Sequence, residues 1–128
     1  MEKNKKYVYV AHPFRAGTTE GILKNIESAC EYGRRLFKEL GLIPIIPHTN
    51  SKGLFGLNGD NATVTDYDFY LLYLCDILAV CGERVSEGVQ LEIDEASKYG
   101  IPMARVEAEG NLEQVKQIVL ALDKPRRA

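Results

Sequence analysis

Short runs of apolar residues alternate with longer amphipathic stretches along this chain, and the alternation constrains the fold more than any other feature of the sequence. The short runs are predicted strands at residues 7–11, 42–46, 77–81 and 101–106. Every residue of the third run is apolar, which is typical of a strand that is covered on both faces. Strands that alternate with helices favour a parallel sheet with helices packed on both of its sides.

Helical periodicity fills the intervals between these runs. The predicted helices span residues 20–40, 63–75, 86–99 and 111–122. Thr18 or Thr19 can cap the first helix, and Gly41 ends it. A chain of 128 residues suffices for one domain with its own core. We therefore predict a single α/β domain over residues 1–128, a three-layer α/β/α sandwich around a flavodoxin-like or Rossmann-like parallel sheet of four to five strands.

The middle of the chain supports two further expectations. Residues 48–62 are rich in glycine and asparagine, which predicts a long loop of the kind that often forms a lid or a wall of a site. In the next helix, four apolar side chains are expected to face the core: Tyr67, Tyr70, Leu71 and Leu74. Apolar residues, Tyr73 among them, lie on almost every side of this helix, so a homodimer or larger homo-oligomer through it is a hypothesis.

Composition and charge exclude several classes of protein. Sixteen basic and eighteen acidic residues give a net charge of −2, so the chain lacks the positive field of a nucleic-acid-binding protein. No apolar run approaches the roughly 20 residues of a membrane span, and the first one is too short for a signal peptide. The cysteines, Cys30, Cys75 and Cys81, are odd in number and lack CxxC spacing. We therefore expect a cytoplasmic protein with reduced cysteines and with no membrane or nucleic-acid partner.

The strand order predicts where a ligand would bind. Doubly wound parallel sheets bind ligands beyond the carboxyl ends of their strands, where the strand order reverses. If the first strand is central, this reversal falls between the first and third strands. The segments at that crevice are then residues 12–18 and 82–88.

The helix at residues 86–99 carries two features that suit a ligand site. Ser86 is a good N-cap, and Gly88 lets a ligand approach the first turn, whose free amides favour a phosphate or another anion. Glu92 lies on or beside the inward stripe of the helix, four residues before Ala96. A carboxylate there needs a buried salt bridge, a hydrogen-bond anchor or a catalytic role, and the spacing alone leaves all three open.

Other polar residues near the predicted crevice are less distinctive. Asp68 follows the long loop and either faces the crevice or is a solvated acid near the start of its helix. Arg15 can clamp a phosphate with its guanidinium fork. Asp76 comes just before the third strand, where we expect it to satisfy backbone donors.

Motifs for metals and for common nucleotide sites are absent from the sequence. The two histidines, His12 and His48, and the scattered acids do not match metal-ligand spacing, so we expect no metal. The chain also has no GxGxxG, GxxxxGK[ST] or GxSxG motif, which argues against a dinucleotide fingerprint, a P-loop and a serine hydrolase.

Three features together resemble the nucleoside 2-deoxyribosyltransferase superfamily, and most closely its branch of nucleoside 5′-monophosphate N-glycosidases. The first strand runs into a loop of small and aromatic residues, AHPFR at residues 11–15. Asp68 stands eight residues before Asp76, the acid that opens the third strand. The turn into the following helix reads Ser-x-Gly-x-x-x-Glu at residues 86–92. The resemblance covers about residues 7–100.

This resemblance implies cleavage of an N-glycosidic bond without a cofactor. It implies that Glu92 is the nucleophilic carboxylate and that Asp68 assists the departing base. The implied substrate contacts are Ser86, Gly88, Arg15, His12, Phe14 and Ala11. Ser86 falls where the transferases usually carry an aspartate that holds a free 5′-hydroxyl. The monophosphate glycosidases carry a serine there, which donates to the 5′-phosphate beside the helix amides.

The predicted reaction is hydrolysis of a nucleoside 5′-monophosphate to free base and (deoxy)ribose 5-phosphate. Two alternatives stay open. One is a transferase that exchanges bases between deoxynucleosides, and the other is a non-catalytic module that binds a nucleotide or a nucleotide-derived signal. In each case the expected partner is a small nucleotide or nucleoside.

Overall fold

Nine helices and strands make up the part of the chain that the computed structural model describes, residues 5–122; the first four and last six residues of the predicted domain lie outside it. The strands are β1 (Tyr7–Ala11), β2 (Ile43–Ile45), β3 (Ile77–Cys81) and β4 (Met103–Val106). The helices are α1 (Thr19–Leu40), α2 (Pro47–Phe55), α3 (Asn61–Tyr73), α4 (Glu87–Lys98) and α5 (Glu113–Leu122). None of these helices combines the length and apolarity needed to cross a membrane.

The strands of the described region form one parallel sheet in the order β2-β1-β3-β4. β1 is paired on both edges, with Tyr9 opposite Ile45 on one side and Leu78 on the other. Every residue of β3 is buried, as its continuous apolar run predicts. The predicted Rossmann-like α/β fold is therefore confirmed, and the strand order reverses between β1 and β3.

Two hydrophobic cores flank the sheet. The first lies against α1 and α5 and includes Leu36 and Val115. The second lies against α3 and α4 and includes Leu72 and Val89. Side chains alternate between the two faces of a strand, so Tyr9 of β1 points into the second core. This side of the sheet also carries the cleft described below.

Local signals at the ends of the elements act as predicted. Thr18 caps α1, and its hydroxyl accepts a hydrogen bond from the Gly21 amide at 3.0 Å. Gly41 ends α1 with a φ of 68°, a left-handed conformation that favours glycine. Asp76 accepts the Tyr7 amide at 2.8 Å, so its role is to satisfy a backbone donor.

The prediction of a loop over residues 48–62 is wrong for the first half of that segment, which is helix α2. Pro47 starts the helix. Proline has no amide hydrogen, and at the first helical position this costs nothing, because an amide there would have no partner within the helix. Gly53 weakens the helix by roughly 1 kcal/mol relative to alanine. Packing outweighs this loss, since His48 and Ser51 of α2 are buried. Glycine content alone therefore misled the prediction.

The orientation of α3 differs in part from the prediction. Tyr70 and Leu74 are expected to face inward, but each is 70% exposed, and Leu72 is fully buried instead. Tyr67 and Leu71 are half-buried. The physical reason is that apolar residues surround this helix, so periodicity selects no face and packing on the sheet decides. The exposed residues leave apolar surface on α3, and a homo-oligomer through it stays a prediction.

Candidate functional site

A cleft of about 560 Å³ opens beyond the carboxyl ends of β1 and β3, where the strand order reverses. The loop after β1 enters it with His12, Phe14 and Arg15, and the loop after β3 enters it with Arg84. Residues of α2 and α3 form one wall, and the first half of α4 forms the other. The cleft therefore lies where the strand order places the crevice of a doubly wound sheet.

Glu92 lines this cleft from α4, with a half-buried side chain. Its Oε2 accepts a hydrogen bond from the Tyr9 hydroxyl. The other oxygen, Oε1, has no hydrogen bond within residues 5–122. Every buried side-chain oxygen in that range has a hydrogen-bond partner, so Oε1 is not buried and is open to the cleft. No basic side chain in that range forms an ion pair with Glu92. Of the three roles that the sequence leaves open, the salt bridge is thus excluded for the described residues.

The surroundings of Glu92 favour its protonated form. Burial raises the pKa of Glu92 to about 8, the hydrogen bond from Tyr9 opposes the rise, and the nearby charge of Asp68 adds to it. Tyr9 is fully buried, and burial together with the charge of Glu92 raises its pKa well above the ordinary value. Tyr9 is therefore protonated at neutral pH and acts as a fixed donor to Glu92.

Asp68 faces the same cleft from α3. The Ser51 hydroxyl, on α2, donates a hydrogen bond to Asp68 Oδ1 at 2.5 Å. Burial raises the pKa of Asp68 to about 6, and the hydrogen bond from Ser51 opposes this rise. Because the pKa of Asp68 is about 6 and that of Glu92 is about 8, the two carboxyls together hold one proton between these pH values, and it rests mainly on Glu92.

The amino end of α4 offers hydrogen-bond donors to the cleft. Ser86 Oγ accepts the Val89 amide at 3.2 Å, which leaves the hydroxyl hydrogen free to donate. The amides of Glu87 and Gly88 have no partner within the described residues. A Cβ added at Gly88 would meet no atom closer than Ser86 Oγ at 4.0 Å. Packing of the protein therefore does not require glycine at this position, and a side chain here would occupy the space in front of the helix end. Glycine therefore keeps this helix end open to an anion.

The two histidines have mainly structural contacts. His12 Nδ1 donates to the Pro13 carbonyl at 2.8 Å, so its neutral Nε2 accepts from the Ser28 hydroxyl at 2.9 Å. His48 Nε2 donates to the same carbonyl at 3.1 Å. Burial lowers the pKa of His12 and lowers that of His48 to about 4, so both rings are neutral at pH 7. Within residues 5–122, no three His, Cys, Asp or Glu side chains are grouped as metal ligands would be.

The remaining predicted contacts lie at the mouth and the floor of the cleft. Arg15 donates to Asn61 and lies 5.7 Å from the ring centroid of Phe14. Its guanidinium has five N–H donors, so most of them stay available to an anion. Ala11 is the exception among the predicted contacts, because its side chain is fully buried in the core beneath the cleft and does not line it.

Sequence reasoning missed three residues of the site: Tyr9, Ser51 and Arg84. Alternation along a strand leaves two possible faces for Tyr9, and only packing against α3 and α4 selects one. Ser51 falls in the segment predicted as a loop, where Pro47 is the available signal of a helix. Arg84 lies in residues 82–88, the segment predicted to line the crevice. A positive charge in that segment could have identified Arg84 as a candidate ligand contact.

The fold and the cleft define an α/β protein that presents two interacting carboxyl groups at the switch point of a parallel sheet. A family model described as a domain of unknown function (DUF7768) matches residues 6–106, and the chain belongs to this family. The match spans all the strands of the described region and every cleft residue named above. No curated protein matches the chain.

Replacement of Glu92 by glutamine is expected to stabilise the protein at alkaline pH. The folded-state pKa of Glu92, about 8, lies above the ordinary value of 4.5, so its contribution to stability is present at low pH and is lost as the pH rises through 8. Glutamine avoids burying that charge. Relative to the parent, the variant should gain roughly 4 kcal/mol between pH 4 and pH 9.

Urea unfolding of both proteins at several pH values measures this gain. Asp94→Asn removes an exposed acid from the same helix and serves as the control, because Asp94 accepts a surface hydrogen bond from Gln90 and does not line the cleft. A stability difference between parent and Glu92→Gln that did not change with pH would contradict the prediction.

Proposed function

We propose that this protein hydrolyses the N-glycosidic bond of a nucleoside 5′-monophosphate and releases the free base and (deoxy)ribose 5-phosphate. The observation that carries the proposal is the pair of carboxyls in one cleft, Glu92 and Asp68. Each has one oxygen held by a neutral hydroxyl and one oxygen open to the cleft. Raised pKa values are typical of carboxyls at functional sites, and here they leave one proton on the pair near pH 7. The reactive form is the one in which this proton lies on Asp68 and Glu92 is ionised, although the more populated form carries it on Glu92.

Glu92 supplies the nucleophile in the first step. As the C1′–N bond breaks, its electron pair leaves with the base and positive charge develops at the anomeric carbon. Oε1 of Glu92 bonds to C1′ from the opposite face and forms a glycosyl ester. The Tyr9 hydroxyl holds the other oxygen of Glu92, which orients the carboxylate and offsets part of the loss of solvation.

Asp68 supplies the proton in the same step. A base leaves poorly as an anion, so protonation at a ring nitrogen or an exocyclic oxygen accompanies cleavage. Asp68 is then ionised and takes a proton from the water that attacks C1′. This second step breaks the ester, frees Glu92 as a carboxylate and returns the proton to Asp68.

The 5′-phosphate fits the donors around the amino end of α4. Ser86 donates its free hydroxyl hydrogen. The amides of Glu87 and Gly88, which have no partner in the described part of the chain, add the positive end of the helix dipole. Arg15 and Arg84 bring positive charge to the same cleft from the two loops. Binding the phosphate there would fix C1′ against Glu92.

A panel of nucleoside 5′-monophosphates and the matching nucleosides, each in ribose and deoxyribose form, tests the proposal. Chromatography measures free base, and mass spectrometry measures sugar phosphate. We expect the kcat/KM for base release to be at least about tenfold higher for monophosphates than for nucleosides, because only the monophosphates carry a phosphate that binds the donors of α4.

The same panel, run with and without an acceptor base, separates the alternatives. Base exchange on unphosphorylated substrate would show a transferase, and tight nucleotide binding without product after long incubation would show a binding module. Base release that persisted unchanged in Glu92→Gln would contradict the proposal, because the reaction would then not depend on the proposed nucleophile.

A further inference from the structure

Ser51 is a buried hydroxyl residue of α2 that reaches the proton donor of the proposed reaction. Its side chain is 6% exposed, and its hydroxyl donates to Asp68 Oδ1 at 2.5 Å. Within residues 5–122, Asp68 Oδ2 has no hydrogen-bond partner, and it is open to the cleft. The contact joins two helices that are also held together by the edge-to-face pair of Phe55 and Tyr67, whose ring centroids are 5.5 Å apart.

This hydrogen bond distinguishes the two oxygens of Asp68. A protonated carboxyl carries its hydrogen on one oxygen, and the other is the carbonyl oxygen, which is the better acceptor. Because Ser51 donates to Oδ1, that oxygen takes the carbonyl role and the proton resides on Oδ2. The acidic proton is thereby placed on the oxygen that faces the cleft.

We propose that Ser51 is a positioning residue that holds Asp68 with its acidic proton on Oδ2, directed at the departing base. The inference rests on the proposed function. When the C1′–N bond breaks, the proton moves from Oδ2 to the base, the bonding pair stays on the base and Asp68 becomes a carboxylate. The Ser51 hydroxyl keeps donating to that carboxylate, so it also stabilises the ionised form that the transfer produces.

Ser51→Ala tests this role when two leaving groups are compared. With a natural nucleoside 5′-monophosphate, we expect kcat to fall about tenfold and KM to change little, since the lost hydrogen bond acts on proton transfer. With a p-nitrophenyl ribofuranoside 5-phosphate, whose leaving group needs no proton, we expect less than about a twofold loss. Thr49→Ala is the matched control, because Thr49 is an exposed residue of the same helix whose hydroxyl donates only to the Ile46 carbonyl.

Carboxyl NMR of Asp68 in the ligand-free protein gives a readout that does not depend on activity. We expect its pKa to lie above the parent's in Ser51→Ala and to equal the parent's in Thr49→Ala, because the Ser51 hydrogen bond lowers the pKa of Asp68. An equal loss of kcat with both leaving groups, or an unchanged pKa of Asp68, would overturn the positioning role. Failure of the proposed function would give a different result. The parent would release no base from any nucleotide, although Ser51→Ala would still raise the pKa of Asp68. That result would exclude a catalytic role for Asp68 and a positioning role for Ser51.

Discussion

Replacement of Glu92 by glutamine is expected to lower the turnover of a nucleoside 5′-monophosphate at least about a thousandfold. Glutamine keeps the shape of the side chain and an oxygen that accepts the Tyr9 hydrogen bond, so the cleft should stay folded. Its amide, however, neither forms a stable ester at C1′ nor neutralises the developing positive charge. Single-turnover measurement of base release gives the effect on the chemical step.

Two controls make the loss specific to the nucleophile. Asp94→Asn, an exposed change on the same helix, should leave turnover within about twofold of the parent. In Glu92→Ala, added azide should enter the space left by the side chain and yield a glycosyl azide 5-phosphate, which restores base release. Turnover of Glu92→Gln within tenfold of the parent would remove Glu92 from the mechanism.

Asp68→Asn is expected to lower kcat for natural nucleotides by about 10² to 10³, which is the usual contribution of a general acid. Asparagine still accepts a hydrogen bond from Ser51 but has no acidic proton for the departing base. The exposed Asp66, on the same helix, supplies the control Asp66→Asn, for which little change is expected. Equal losses in the two variants would contradict the assignment of Asp68.

The pH profile of kcat/KM adds a second test of Asp68. In the parent, the reactive cleft carries one proton on the pair, so the rate should rise through about pH 6 and fall through about pH 8. In Asp68→Asn the alkaline limb should disappear, because Glu92 alone then titrates and is active once ionised. The remaining limb should lie below pH 8, since the charge of Asp68 no longer raises the pKa of Glu92. A bell shape that survived in Asp68→Asn would show that another group is the acid.

Much of the site follows from local sequence because its parts lie at the ends of predictable elements. The apolar run of β3, the cap at Ser86 and the inward stripe of α4 place Glu92 beside the switch point without knowledge of the tertiary structure. The partners of the carboxyls were less predictable. Tyr9 and Ser51 are separated from Glu92 and Asp68 by 83 and 17 residues, and no local pattern specifies such contacts.

Local patterns in the chain were enough to predict a parallel sheet between helices and the edge of the sheet at which the cleft opens, because the period of apolar residues and the capping residues depend on neighbouring positions alone. The reversal between β1 and β3 followed from the sequence only on the condition that β1 is central, which the strand order confirms. Three other features became clear only from the folded chain: α2 is a helix, Tyr70 and Leu74 of α3 face outward, and Tyr9 and Ser51 each hold one carboxyl. These features depend on which surfaces pack together, since burial and hydrogen bonding between distant segments outweigh the weak preferences of single residues.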